Sequence, residues 1–177
     1  MIGISEATPE DYPFIQQIAY KTWPVTYGRI LSKEQLEYML DLFYSMDAIG
    51  KSVSEQGHRL LMAKDENHYI GFASYENYFQ QKPVTRIHKI YVIPEAQGRG
   101  IGRILIGRIS ELALQNDCKS LSLNVNRKNN ARQFYAKLDF EVVGEEDIPI
   151  GQGYLMEDYI MEKQLFQNND IMFNEQS

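Results

Sequence analysis

Ile2 and Ile4 fall on one face of a two-residue period, so the chain opens with a predicted short strand from Ile2 to Ala7. Thr8-Pro9-Glu10-Asp11 then supplies an N-cap, a proline at the first helical position and acids for the first turn. A helix is expected to about Thr22, where Trp23-Pro24 breaks it. After a loop through Gly28, Ser32-Lys33-Glu34-Gln35 fits the capping box, and Leu36, Met39, Leu40 and Phe43 follow at helical spacing. A third helix is expected from Asp47. From Arg59 the period shortens to that of strands: Arg59 to Lys64, a turn at Asp65-Glu66-Asn67, Tyr69 to Tyr78, and Thr85 to Val92 after Pro83. Three neighbouring antiparallel strands are implied.

Ile101, Ile104, Leu105, Ile109 and Leu112 resume the helical period and mark an amphipathic helix from about Gly98 to Gln115. Leu121, Leu123 and Val125 alternate with Ser122 and Asn124 as a strand with one buried face, and Ala131, Phe134, Tyr135 and Leu138 return to helical spacing. Two strand-like runs, Glu141 to Ile148 and Tyr154 to Lys163, flank Gly151-Gln152-Gly153 and predict a closing hairpin. Residues 1–166 read as a single domain, and 167–177, polar with scattered Ile171, Met172 and Phe173, as an appendage.

A length of 177 residues with 44% hydrophobic content suits one domain with a sizeable core. The only cysteine, Cys118, excludes an internal disulfide and a multi-cysteine metal cluster, so no metal is expected and a reducing, cytoplasmic setting is. No apolar run approaches the roughly 18 residues of a membrane span, and Met1 to Glu6 lacks the features of a signal peptide. A formal charge of −6 argues against sequence-independent nucleic-acid binding.

The densest chemical signal is Gln97-Gly98-Arg99-Gly100-Ile101-Gly102-Arg103, set between a predicted strand and a predicted helix. Glycines there leave backbone N–H groups bare at the positive end of a helix dipole, a seat for an anion such as pyrophosphate. The spacing is not G-x-G-x-x-G, and no Gly-Lys-Ser/Thr follows, so neither the dinucleotide fingerprint nor the NTP-binding P-loop fits.

Gln97-x-x-Gly100-x-Gly102, preceded by Ile90-Tyr91-Val92-Ile93-Pro94-Glu95-Ala96, resembles the acyl-CoA strand-turn-helix motif of the GNAT superfamily of N-acetyltransferases. About thirty residues on, Asn129-Asn130-Ala131-Arg132-Gln133-Phe134-Tyr135-Ala136-Lys137-Leu138-Asp139-Phe140 resembles that superfamily's second motif. The resemblance implies an α/β fold: a central mixed, mainly antiparallel twisted sheet of six to seven strands flanked by helices. The run Gly151 to Lys163 is similar to the bacterial polyamine-acetylating branch. Two positions depart from the pattern. Lys128 stands where the family has an asparagine, which either passes that contact to Asn129 or Asn130 or removes it, and Asp139 replaces a glycine with a residue that still reaches the left-handed conformation at a helix end.

Acetyl-CoA is the co-substrate so implied, with Ile90, Tyr91, Val92, Gln97, Gly98, Arg99, Gly100, Ile101, Gly102, Arg103 and Asn129 as its contacts. Backbone amides from Gln97 to Arg103 would hold the pyrophosphate, the Arg99 and Arg103 side chains adding charge at its rim. An alkylamine with a pKa near 10 must lose a proton before it attacks, and His88, where relatives often carry a glutamate, is the candidate base. N–H groups near Tyr91 and Val92, freed by a strand bulge, would stabilise charge on the thioester oxygen. Tyr135 matches the family tyrosine beside the cofactor sulfur and is the expected general acid. His58 and His68, at strand ends, read as surface residues, and Cys118 lacks a nearby histidine in sequence to serve as a nucleophile.

The expected acceptor is a primary amine of a small molecule or peptide. Among Tyr20, Trp23, Tyr27, Tyr38 and Tyr44, the interhelical Trp23 and Tyr27 are the pair expected to face it, and Glu34, Asp41 and Glu157 are candidate partners for a second cation. A protein N-terminal or lysine acetyltransferase and a non-catalytic acyl-CoA sensor are the alternatives. An edge strand, or Ile171 to Phe173, allows a homodimer.

Overall fold

The computed structural model describes residues 1–166; the tail expected to be an appendage lies outside them. Seven strands form one sheet in the order β1-β2-β3-β4-β5-β7-β6, with β1 at Ile2–Glu6, β2 at Arg59–Asp65, β3 at His68–Glu76, β4 at Val84–Val92, β5 at Ser120–Asn126, β6 at Glu141–Gly151 and β7 at Tyr154–Gln164. Every neighbouring pair is antiparallel except β4 with β5. The mixed, mainly antiparallel architecture is the one expected.

Five helices cover the sheet: α1 Tyr12–Tyr27, α2 Lys33–Tyr44, α3 Met46–Ser54, α4 Ile101–Gln115 and α5 Ala131–Lys137. The alternation of β2 sorts its side chains between two cores. Leu61 and Ala63 join Leu105 and Ile109 of α4 on one face, while Leu60 and Met62 meet Ile15, Leu40 and Tyr44 of α1 and α2 on the other. Ser32 caps α2 as its sequence predicts, its hydroxyl accepting the Gln35 N–H at 3.1 Å.

Pro24 does not end α1, which continues to Tyr27. An interior proline costs roughly 3 kcal/mol, whereas burying an indole of some 150–250 Å² returns about 4–6 kcal/mol. Continuing the helix places Tyr27 one turn beyond Trp23, with ring centroids 4.7 Å apart and Trp23 in the core. Tertiary burial therefore overrides the local breaker. At the other departure, Asp139 takes φ +70°, the left-handed conformation the helix end requires.

β4 and β5 pair over only four residues each, Val84–Ile87 against Ser120–Leu123. Beyond Ile87 and Leu123 the two strands part, and a cavity of about 900 Å³ opens between them. The tip of the β6–β7 hairpin reaches back to α2, where the Tyr38 hydroxyl donates to the Ile150 carbonyl at 2.7 Å and Gln35 Nε2 to that of Leu155 at 3.3 Å.

Candidate active site

The glycine turn sits at the mouth of this cleft. Gly98 and Gly100 adopt φ of +83° and +77°, and a Cβ on either would point into open space, so these positions are glycine for backbone conformation and for close approach of a ligand. Gly100 is the N-cap of α4, and the first helical residues, Ile101 to Arg103, have N–H groups with no intrahelical acceptor. Those donors and the dipole of a 15-residue helix make an anion seat whose fit to a pyrophosphate needs no side chain. The Arg99 guanidinium is instead engaged by Asp65, at 2.7 Å, so at that position the main chain is what faces the cleft. Gln97 closes the turn, its Nε2 donating to the Val92 carbonyl at 3.3 Å.

The bulge expected near Tyr91 and Val92 lies three to four residues earlier, at His88. Ser74 pairs with Lys89 and Tyr75 with Ile87, which leaves His88 as the extra residue of β4. The Ile93 N–H donates to the Ile70 carbonyl at 2.9 Å, and antiparallel alternation from that bond turns Tyr91 and Lys89 toward β3. Ile90 and Val92 then direct their N–H groups to the side where β5 has pulled away. The open donors are thus those of Ile90 and Val92, because pairing with β3 consumes that of Tyr91.

Across the cleft, Asn129 fixes the start of α5 by accepting the Ala131 N–H on Oδ1 at 2.9 Å, and both Asn129 and Lys128 line the cavity. Tyr135 lines it too, held edge-on against Phe134 and Phe140 at centroid distances of 5.2 and 5.8 Å. Burial, reinforced by the neighbouring Tyr27, pushes the Tyr135 hydroxyl well above its ordinary pKa, so it stays protonated and able to donate. Cys118 is buried at the end of α4 within the sheet's core.

On the α1–α3 side of β4, His88 meets groups that sequence reasoning had not joined to it. Its Nε2 lies 2.9 Å from Glu76 Oε1, and its ring stacks on His58 at 3.9 Å with planes 12° apart. His58 is therefore no surface residue: its Nδ1 reaches Ser74 Oγ at 3.3 Å and it is largely covered. His68 is exposed, as expected. Burial, with positive charge from Arg86 and Lys89, lowers the His88 pKa to about 3, and burial beside His88 and Lys89 lowers that of His58 to about 4. Both rings are neutral near pH 7.

Lys89, another residue missed in sequence, also lines the cleft. Its Nζ sits 3.4 Å from the Phe43 carbonyl and 4.7 Å from the centre of the Tyr44 ring, and burial lowers its pKa to about 8. Tyr27 lines the cavity and its hydroxyl meets that of Tyr91 at 3.0 Å, whereas Trp23 is packed in the core. Of the acids weighed for a second cation, Glu34, Asp41 and Glu157 are all exposed. Asp158, one residue beyond Glu157 and so on the opposite face of β7, is buried; Asn124 Nδ2 donates to it at 3.4 Å, and burial lifts its pKa to about 6. The alternation of β7 was the available signal for this residue.

Residues 12–140 match the model of the acetyltransferase (GNAT) family. An uncharacterized N-acetyltransferase, YuaI, of Bacillus subtilis is 29% identical over 85% of the chain and 86% of its own length. The 5-NmdU N-acetyltransferase of Pseudomonas phage PaMx11 is 30% identical over 82% of the chain and 91% of its own length. The PaiA N-acetyltransferase of Thermoplasma acidophilum, crystallised with coenzyme A, superposes with a TM-score of 0.77 at 25% identity, covering 93% of this chain and 99% of that one.

Proposed function

The chain belongs to the acetyltransferase (GNAT) family, and from that premise we propose that it moves an acetyl group from acetyl-CoA to a primary amine of a small molecule or peptide, by direct attack in a ternary complex. The observation that carries this reading is the parting of β4 and β5, which opens one cleft shared by the glycine turn and Tyr135. The related PaiA protein was crystallised with coenzyme A, and the acetyl thioester of that molecule would supply the activated acyl group here.

The α4 N-terminus and the glycine turn hold the pyrophosphate by main-chain donors, and Asn129 with Lys128 lines the opposite wall. Ile90 and Val92 N–H groups receive the charge that develops on the thioester oxygen. His88, neutral at pH 7, takes the proton that the neutral amine sheds as its nitrogen bonds to the acetyl carbon, and Tyr135 donates its hydroxyl proton to the departing sulfur. The acceptor enters on the α1–α2 side, past Tyr27 and beneath the hairpin tip that Tyr38 and Gln35 tether. The relative from phage PaMx11 is named a 5-NmdU N-acetyltransferase, which supports a small-molecule acceptor as readily as a peptide. Edge strand β6 exposes Val142 and Val143, and we place the expected self-association there; the alternative contact at Ile171 to Phe173 lies outside the described residues. Among the described residues no helix is long and apolar enough to cross a membrane.

The test is a thermal shift with acetyl-CoA followed by CoA release across amino acids, polyamines, 5-NmdU and short peptides. Acetyl-CoA at 100 times its Kd should add about 2.7 kcal/mol to stability. No shift would remove the cofactor site; a shift without CoA release for any amine would leave a sensor.

A further inference from the structure

The pairing of His88 with Glu76 and His58 deepens the proposed acetyl transfer and rests on it. Three elements converge here: the turn before β2 brings His58, the end of β3 brings Glu76, and the bulge of β4 turns His88 toward both. A histidine in regular register would follow strict alternation; as the extra residue, His88 shares the face of Lys89 and reaches Glu76.

Two imidazoles and a carboxylate also have the composition of a cation site, their donor atoms lying within 4.8 Å of one another. The ring centroids, however, are 3.9 Å apart and the planes only 12° from parallel, so their in-plane lone pairs run side by side and do not converge on one ion. The geometry suits a hydrogen-bonded pair clamped by a stack.

We propose that Glu76 and His58 are positioning residues for His88: Glu76 accepts the Nε2 proton and so leaves the lone pair on Nδ1, and His58 holds the ring plane by stacking. A carboxylate at 2.9 Å is an acceptor only, so a neutral His88 must carry its proton on Nε2. His58 cannot compete for that carboxylate, since its Nε2 lies 4.0 Å away and its Nδ1 is occupied by Ser74. Phe79 meets the same His88 ring edge-on at 5.7 Å, completing the clamp.

The charged groups facing His88 are Arg86 and Lys89, which oppose its protonation, and Glu76, whose carboxylate lies 2.9 Å from Nε2. When the acceptor nitrogen bonds to the acetyl carbon, its proton moves to Nδ1 and the imidazolium is neutralised across the existing Nε2–H···Glu76 bond. The carbon–sulfur bond breaks, the thiolate takes the Tyr135 proton, and proton exchange with solvent restores both residues. Without Glu76, the same imidazolium would form between two cations with no counter-charge.

The experiment compares the full-length wild type with Glu76→Ala, Glu76→Gln, His58→Ala and His58→Phe, reading kcat and KM separately and recording the histidine ¹⁵N spectrum. Glu76→Ala should lower kcat about 10²-fold, with the acetyl-CoA thermal shift and its KM unchanged. His88 should then lose its uniform Nε2–H tautomer. Glu76→Gln keeps an acceptor oxygen without the charge, so it should recover the tautomer and only part of the rate. His58→Phe, which keeps a stacking ring, should recover most of what His58→Ala loses. Wild-type kcat in folded Glu76→Ala, or a His88 that carries its proton on Nδ1, overturns the proposal. The wider reading fails differently: there acetyl-CoA gives no shift, or the wild type acetylates nothing.

Discussion

The two ends of the cleft are built from different material. At the proposed cofactor end the groups assigned are main-chain N–H donors from one continuous stretch, Gln97 to Arg103, and from Ile90 and Val92. At the proposed acceptor end they are side chains gathered from distant elements: Tyr27 from α1 and His88 and Lys89 from β4 line the cleft, and His58, Glu76 and Asp158 from the β2, β3 and β7 regions stand behind His88 and Asn124. A backbone site needs only the right conformation in one short segment. A side-chain site needs the whole sheet in register, and its groups must tolerate burial among one another's charges, which is why the perturbed protonation equilibria cluster there.

Substitutions at the two ends should separate these modes. Gly100→Val puts a β-branched residue at φ +77°, and the largest effect is expected there: loss of the acetyl-CoA thermal shift with no change at the His88 cluster. A retained shift would mean that the turn is not the seat. Tyr135→Phe should cut kcat about 10²- to 10³-fold and leave the acetyl-CoA shift in place; equal losses in both would assign the hydroxyl to binding.

Asp158 gives a pH test of the acceptor end. Its folded pKa of about 6 exceeds the ordinary aspartate value of 3.8, so the folded state holds its proton more tightly than the unfolded chain. The stability it contributes is therefore full below about pH 4, declines as pH rises to about 6, and is flat beyond. The change is about 2–3 kcal/mol for a residue 3% exposed. Urea titrations of Asp158→Asn should lack that decline, and a mutant curve parallel to wild type would show that another group titrates.

Smaller effects come from the hydroxyl and the ion pair that sequence alone would misjudge. Among the described residues the Tyr44 hydroxyl and the Trp23 indole N–H are buried without hydrogen-bond partners, so Tyr44→Phe should stabilise the fold by about 1 kcal/mol. A loss of that size would reveal a bond to the hydroxyl. Arg99→Ala should alter acetyl-CoA affinity by less than about threefold, because Asp65 engages the guanidinium; a tenfold loss would return Arg99 to the pyrophosphate.

Legibility in the sequence follows the same division. The order of strands and helices could be read from periodicity, as could the glycine turn and the motif helix carrying Tyr135. The left-handed Asp139 was legible because a helix end demands that conformation. The misreadings were tertiary in origin. Pro24 looks like a breaker until the burial of Trp23 is weighed, Glu157 sits one residue out of phase with the buried Asp158, and His58 resembles a surface residue until it meets His88 across the bulge.

Local sequence determined where the chain turns, which faces are apolar, and that an anion seat precedes a helix, because those properties depend on φ, on periodicity and on bare N–H groups within a few residues. Only the tertiary structure decided which N–H groups of β4 face the cleft and which side chains meet His88. Those outcomes depend on pairing register and on a one-residue bulge, and a shift of one residue moves a strand side chain from one face of the sheet to the other.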